Sequence, residues 1–139
     1  MGVSVVSLRA EYAVKAVLRL ALTQGGEPVQ AKEIAAYGDI PVKSVEQIMH
    51  DLRTARLVTS VRGRAGGYVL AYSPEEITFA DFVDATERSR AASSGRKRGA
   101  DALVEPVWRS VDTAVRDILE SITIADVTAN AVSSHMYYI

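Results

Sequence analysis

Lys43, Glu46, Gln47 and His50 recur at i, i+3, i+4 and i+7, the interval that lines one face of an α-helix. Val45, Ile48, Met49 and Leu52 repeat the same interval and form the apolar stripe on which that helix would pack. A helix anchored on one side and polar on the other can lay its free face in the major groove of DNA, with its N-terminal side chains on base edges. The residue types suit that work. Gln47 can pair with N6 and N7 of adenine, Lys43 can donate to guanine or a phosphate, and Glu46 can accept from N4 of cytosine. Ser44, near the helix start, can bond a phosphate, and His50 completes the stripe. An ordinary solvated face would show the same periodicity, so the neighbouring segments have to decide.

Two stretches follow directly. Leu57–Val61 and Tyr68–Tyr72 are β-branched or aromatic runs around the Gly-rich Arg62–Gly67, which reads as a β-hairpin. Arg62, Gly63 and Arg64 form its tip: glycine lets the backbone approach a surface, and arginine suits a narrow minor groove. The glycines are no phosphate loop, because no Gly-Lys-Ser/Thr follows them. Upstream, Ala31–Tyr37 reads as a short helix stopped at Gly38, and Pro41 opens the longer helix to about Arg56. Short helix, tight turn, longer helix, hairpin is the order of a winged helix-turn-helix.

Other chemistry finds little support. The 139 residues include no cysteine, which removes thiol catalysis, disulfides and thiolate-held metal or iron–sulfur sites. His50 and His135 are the only histidines, and neither has a second one at i+3 or i+4. No nucleophile elbow, zincin motif or dinucleotide fingerprint occurs, so no enzymatic activity, no metal and no cofactor are expected. Asp81 and Asp126 read as helix-capping residues in two near-copies, Ile77-Thr-Phe-Ala-Asp81 and Ile122-Thr-Ile-Ala-Asp126. The formal net charge of −1 excludes a polycation. Residues 1–72 nevertheless carry nine Lys/Arg against six Asp/Glu, a net +3, and residues 73–139 seven against eleven, a net −4. The first part is therefore the one that faces an anionic partner. No uncharged run approaches a membrane span and no signal peptide opens the chain, so a soluble cytoplasmic protein is expected.

The positioning elements follow from periodicity and caps. Ser7 can cap a first helix running to about Thr23, with Val14, Val17, Leu18 and Ala21 inward and Arg9, Glu11, Lys15 and Arg19 on other faces. Thr78 caps a fourth helix. Arg88–Gly99 is polar, with five cations and no acid, and reads as a loop. Trp108, Val111, Val115, Ile118 and Ile122 alternate three and four apart along a helix expected from about Pro106 to Ser121. Such a seam suits a partner helix. Trp108 is given a packing role in preference to an effector pocket, and His135–Ile139 either packs on the fold or continues into a longer chain.

In this order the chain resembles the Rrf2 family of winged-helix transcription regulators. The resemblance runs from about Val6 to Val127 and is carried by Leu8-Arg-Ala-Glu-Tyr-Ala-Val14, Val45-Glu-Gln-Ile48, Leu57-Val-Thr-Ser-Val-Arg-Gly63, Gly66-Gly-Tyr68, Glu76-Ile-Thr78 and Ile122-Thr-Ile-Ala-Asp126. It implies a homodimer built on the long helix, with the recognition helix in the major groove and the wing in the minor groove of a palindromic operator. Lys43, Glu46 and Gln47 fall where the family reads bases, and Arg62 and Gly63 at the wing tip; Ser44 replaces an aromatic residue frequent at its position. Many members hold a [2Fe–2S] cluster on three cysteines. Here Ala102 stands about where the last would be, so the resemblance is to a cluster-free member.

The sequence thus predicts a mainly α fold with a small β-hairpin wing and a long C-terminal dimerisation helix. Residues 1–87 form the DNA-binding region, 88–101 a flexible basic loop, and 102–139 the dimerisation and C-terminal helices. The expected function is sequence-specific transcription regulation, as a repressor, with double-stranded DNA, a second copy and a small-molecule or protein effector as partners, and no membrane. The dimer interface is assigned to Trp108, Val111, Val115, Ile118 and Ile122. The competing reading is a winged-helix module that binds protein instead of DNA, which Glu46 on the reading face would suit.

Overall fold

The computed structural model describes residues 7–23, 26–87 and 98–129. Ser7 caps α1 (Leu8–Ala21), its hydroxyl accepting from the backbone N–H of Ala10. The buried face is Ala10, Ala13, Ala16, Val17 and Leu20, whereas Val14, Leu18 and Ala21 are only partly buried. The inward stripe expected from the bulky residues is therefore rotated towards the alanines. The reason is crowding: α1 contacts α2 (Ala31–Gly38), α3 (Val42–Thr54) and α4 (Phe79–Glu87) at once. Methyl side chains let three helices approach one.

Asp39 takes a left-handed conformation (φ 53°) after α2, and its N–H donates to Ala35, which turns the chain into α3. Val45, Ile48, Met49 and Leu52 are all buried, as their spacing predicts. The helix closes at Thr54, two residues short of the expected end. Arg56 goes left-handed (φ 65°), and the N–H groups of Arg56 and Leu57 return to Arg53 and Leu52 in the paired 5→2 and 6→1 bonds of a Schellman ending.

The hairpin forms, although its second strand ends at Leu70, two residues before the expected Tyr72. β1 (Val58–Val61) and β2 (Gly67–Leu70) pair antiparallel, with Val58 opposite Leu70 and Val61 opposite Gly67. Val29 and Tyr68 exchange backbone hydrogen bonds, so the linker before α2 lies along the wing as a third short edge.

The two near-copies meet. The carboxylate of Asp81 accepts from the N–H of Thr78, and that of Asp126 from Thr123, whose hydroxyl in turn accepts from the N–H of Asp126. Thr78 and Thr123 face each other in an antiparallel bridge. Phe79 N–H donates to Ile122 and Ile124 N–H to Ile77, so the two capping segments are joined back to back about a local two-fold. Residues 124–129 are helical after the second copy, with Ile124 fully buried. Ile77, Phe82 and Ile124 belong to one core with Ile34, Ile48, Met49 and Leu52.

The long helix departs most from expectation. α5 (Ala100–Ser121) begins six residues before Pro106, which lies inside it and not in its first turn. An interior proline removes one backbone bond but does not end a helix that helix-forming residues continue on both sides, here Ala100–Glu105 and Val107–Ser121. None of its residues is buried. Trp108 is 44% exposed and therefore does not pack the core of its own chain. The segments 88–97 and 130–139, with most of the basic loop, His135 and the apolar tail, lie outside the described residues.

Candidate nucleic-acid interface

Burying one stripe of α3 fixes the opposite one outward. Lys43, Glu46, Gln47 and His50 are all exposed, and Ser44 is half-buried at the first turn. Pro41 precedes the helix, and no side chain caps its N-terminus. The four exposed residues line one open cleft, and Arg9, from the first turn of α1, lines it with them. Its guanidinium pairs with Asp51 on α3. The spacing of α1 gave Arg9 no distinction from other solvent-facing cations. Only the packing of α1 on α3 brings it to that exposed stripe, across 42 residues of chain.

At the wing, Arg62, Gly63 and Arg64 are exposed. Gly63 takes φ 108°, a region side chains rarely adopt, and its carbonyl accepts from the N–H of Gly66, which folds the tip into a tight turn. Gln30 donates to the Arg64 carbonyl at 3.3 Å, and Arg53 at the end of α3 donates to Ser60 on β1 at 3.3 Å. The wing is thus tied both to the linker before α2 and to the recognition helix.

The second expected surface lies on α5. Val115 and Ile122 are half-buried, with α4 alongside the helix, while Trp108, Val111 and Ile118 stay open at 44%, 37% and 59% exposure. Val104 and Val107, beside the predicted seam, are also exposed. The joint with α4 is polar: Arg116 holds both carboxylate oxygens of Asp84 at 2.6 Å and also bonds Glu120. The hydrogen bonds and charge of Asp84 raise the Arg116 pKa further above its ordinary value.

Residues 6–130 match the family model described as Rrf2, iron-dependent transcriptional regulator. The chain belongs to the Rrf2 family. It is 37% identical over 136 residues to an HTH-type transcriptional regulator of Mycobacterium tuberculosis, covering 94% of this chain and 84% of that one. With CymR of Bacillus subtilis it shares 31% over 137 residues, covering 96% and 99%. Among solved structures, the IscR of T. potens superposes with a TM-score of 0.76 at 33% identity, covering 96% of each chain. This Rrf2 protein is accordingly a DNA-binding transcription regulator with a winged helix-turn-helix and a long C-terminal helix, and the protein-binding alternative is not favoured.

The family description names iron, and the residues here do not fit a thiolate-held cluster. The chain has no cysteine, and no group of three His, Asp or Glu side chains able to hold a metal occurs among the described residues. Nor is any helix among them long and apolar enough to cross a membrane.

Proposed function

We propose that this Rrf2 protein is a cytoplasmic, non-enzymatic repressor that binds a pseudo-palindromic operator as a homodimer. The observation that carries the reading is the two-sidedness of α3: Val45, Ile48, Met49 and Leu52 are buried while Lys43, Glu46, Gln47 and His50 stand free at the same interval. In this reading Lys43, Glu46 and Gln47 contact base edges, and Ser44 and His50 flank them. Arg62, Gly63 and Arg64 enter the minor groove. The open residues of α5, Trp108, Val111 and Ile118, with Val115 and Ile122 at their border, form the seam between copies. Residues 1–87 would read DNA, 88–101 would link, and 102–139 would dimerise. Half-sites would then lie about 10 bp apart, one helical turn. An effector, small molecule or protein, would act by favouring one spacing of the two recognition helices.

Selection of bound duplexes from a random pool, followed by titration of variants, tests this. Arg62→Ala should weaken operator binding by about 1–3 kcal/mol. Gln47→Ala should relax base preference at one position per half-site more than it lowers affinity for scrambled duplex. Equal losses on both duplexes would remove Gln47 from the reading face.

A further inference from the structure

We propose that Arg9 contacts a DNA phosphate and that Asp51 is the positioning residue that holds it for this task. The inference rests on α3 being the recognition helix. Arg9 Nη2 donates to Asp51 Oδ2 at 2.5 Å, and the side chains remain 41% and 23% exposed. The arginine therefore lies at the surface, in the same cleft as Lys43, Glu46, Gln47 and His50.

An ion pair serving only stability fits these facts poorly. Pairs this exposed contribute little. The Arg9 Nε is moreover buried without a hydrogen-bond partner, which costs stability. A guanidinium offers five N–H donors in a planar fork, and the Asp51 contact uses one of them. The fork matches phosphate oxygens, and phosphates supply half or more of the hydrogen bonds in protein–DNA complexes. Position favours the backbone over the bases. Lys43, Glu46 and Gln47 occupy the N-terminal half of α3, the part that reaches base edges in a helix-turn-helix. Arg9 comes from a different helix and meets α3 at Asp51, in its C-terminal half. A ligand lying along the stripe would bring its strand edge, not its groove floor, to that point.

The test compares salt titrations of the full chain on the selected operator and on a scrambled duplex of about three helical turns. Arg9→Met should reduce the slope of log affinity against log salt by about 0.9 per bound protomer, with similar losses on both duplexes. Arg9→Lys, which keeps the charge, should retain the slope. Asp51→Asn, which keeps the cation but loosens its hold, should lower affinity on both duplexes, by less than Arg9→Met does. Far-ultraviolet circular dichroism and thermal melts confirm that each variant is folded. An unchanged slope in Arg9→Met overturns the phosphate contact, as does a loss confined to the operator, which would indicate base reading. Unchanged affinity in a folded Asp51→Asn would overturn the positioning role of Asp51. Failure of the parent protein to bind either duplex would instead remove the recognition-helix reading, and the Arg9 contact with it.

Discussion

At the scale of single residues, the wing tip shows how local geometry restricts the choice of side chain. A Cβ on Gly66 would stand 2.1 Å from the carbonyl oxygen of Val61 and 2.9 Å from that of Gly63. Both are backbone atoms, and the Gly63 carbonyl is the one that accepts the turn's own hydrogen bond. Neither can yield without opening the hairpin. Gly66→Ala should therefore cost about 1–3 kcal/mol in urea denaturation, and it should weaken duplex binding by disordering Arg62 and Arg64 even though residue 66 lies behind the tip. Gly63 is different: nothing lies within 4 Å of its added Cβ, and only its φ of 108° favours glycine there. Arg9 shows the opposite kind of restriction. Its role depends on a partner 42 residues away, and no feature of Leu8-Arg9-Ala10 announces it.

Among the elements, the paired capping segments form the structural joint of the molecule. Thr78–Asp81 opens α4, Thr123–Asp126 opens the helical residues 124–129, and the bridge between them returns the chain from the end of α5 to the core. The two copies differ in environment, because Asp81 is half-buried and Asp126 exposed. Each replaces a missing helical partner for one N–H, but water can substitute more readily at Asp126. Asp81→Ala should lower stability by about 1 kcal/mol, and Asp126→Ala by less. Chemical denaturation of the two variants side by side gives the ranking; a larger effect at Asp126 would mean that the joint, not α4, limits stability. Arg116 bridges to the same region from α5, meeting both oxygens of Asp84 at 2.6 Å.

For the whole molecule, α5 carries the face on which the proposed assembly rests. Twenty-two residues of helix without one buried side chain leave an apolar face that the described residues do not cover. In the proposed homodimer that face would become core. Ile118 separates dimerisation from folding better than Val115 does. At 59% exposure Ile118 is free in the monomer, whereas Val115 is half-buried, with α4 alongside the helix. Ile118→Asp should leave a folded chain with near-native circular dichroism and monomeric mass in light scattering, because the aspartate is hydrated until a second copy arrives. Val115→Asp should disturb the fold as well. A dimer mass retained by Ile118→Asp at micromolar concentration would place the interface elsewhere. The charge is uneven in the same sense: the net +3 of residues 1–72 lies with α3 and the wing, and the net −4 of residues 73–139 with α5.

Much of this was legible from the chain itself, because periodicity, caps and turns are short-range. The buried stripe of α3, the wing strands, the Ser7 cap and the Asp81 and Asp126 boxes all depend on residues within about two turns of one another, and each formed as its spacing predicts. The order of those elements was enough to suggest the family. What short-range patterns could not supply was whatever depends on which helices meet. The burial of the alanines in α1 follows from crowding by three neighbours. Trp108 is exposed because nothing among the described residues covers its seam. The meeting of the two capping segments and the arrival of Arg9 beside Gln47 and His50 both depend on contacts between distant parts of the sequence. Even the start of α5 at Ala100 required knowing that Pro106 interrupts one hydrogen bond and not the helix. Interval along the chain determines which face a residue occupies; only packing decides what that face meets.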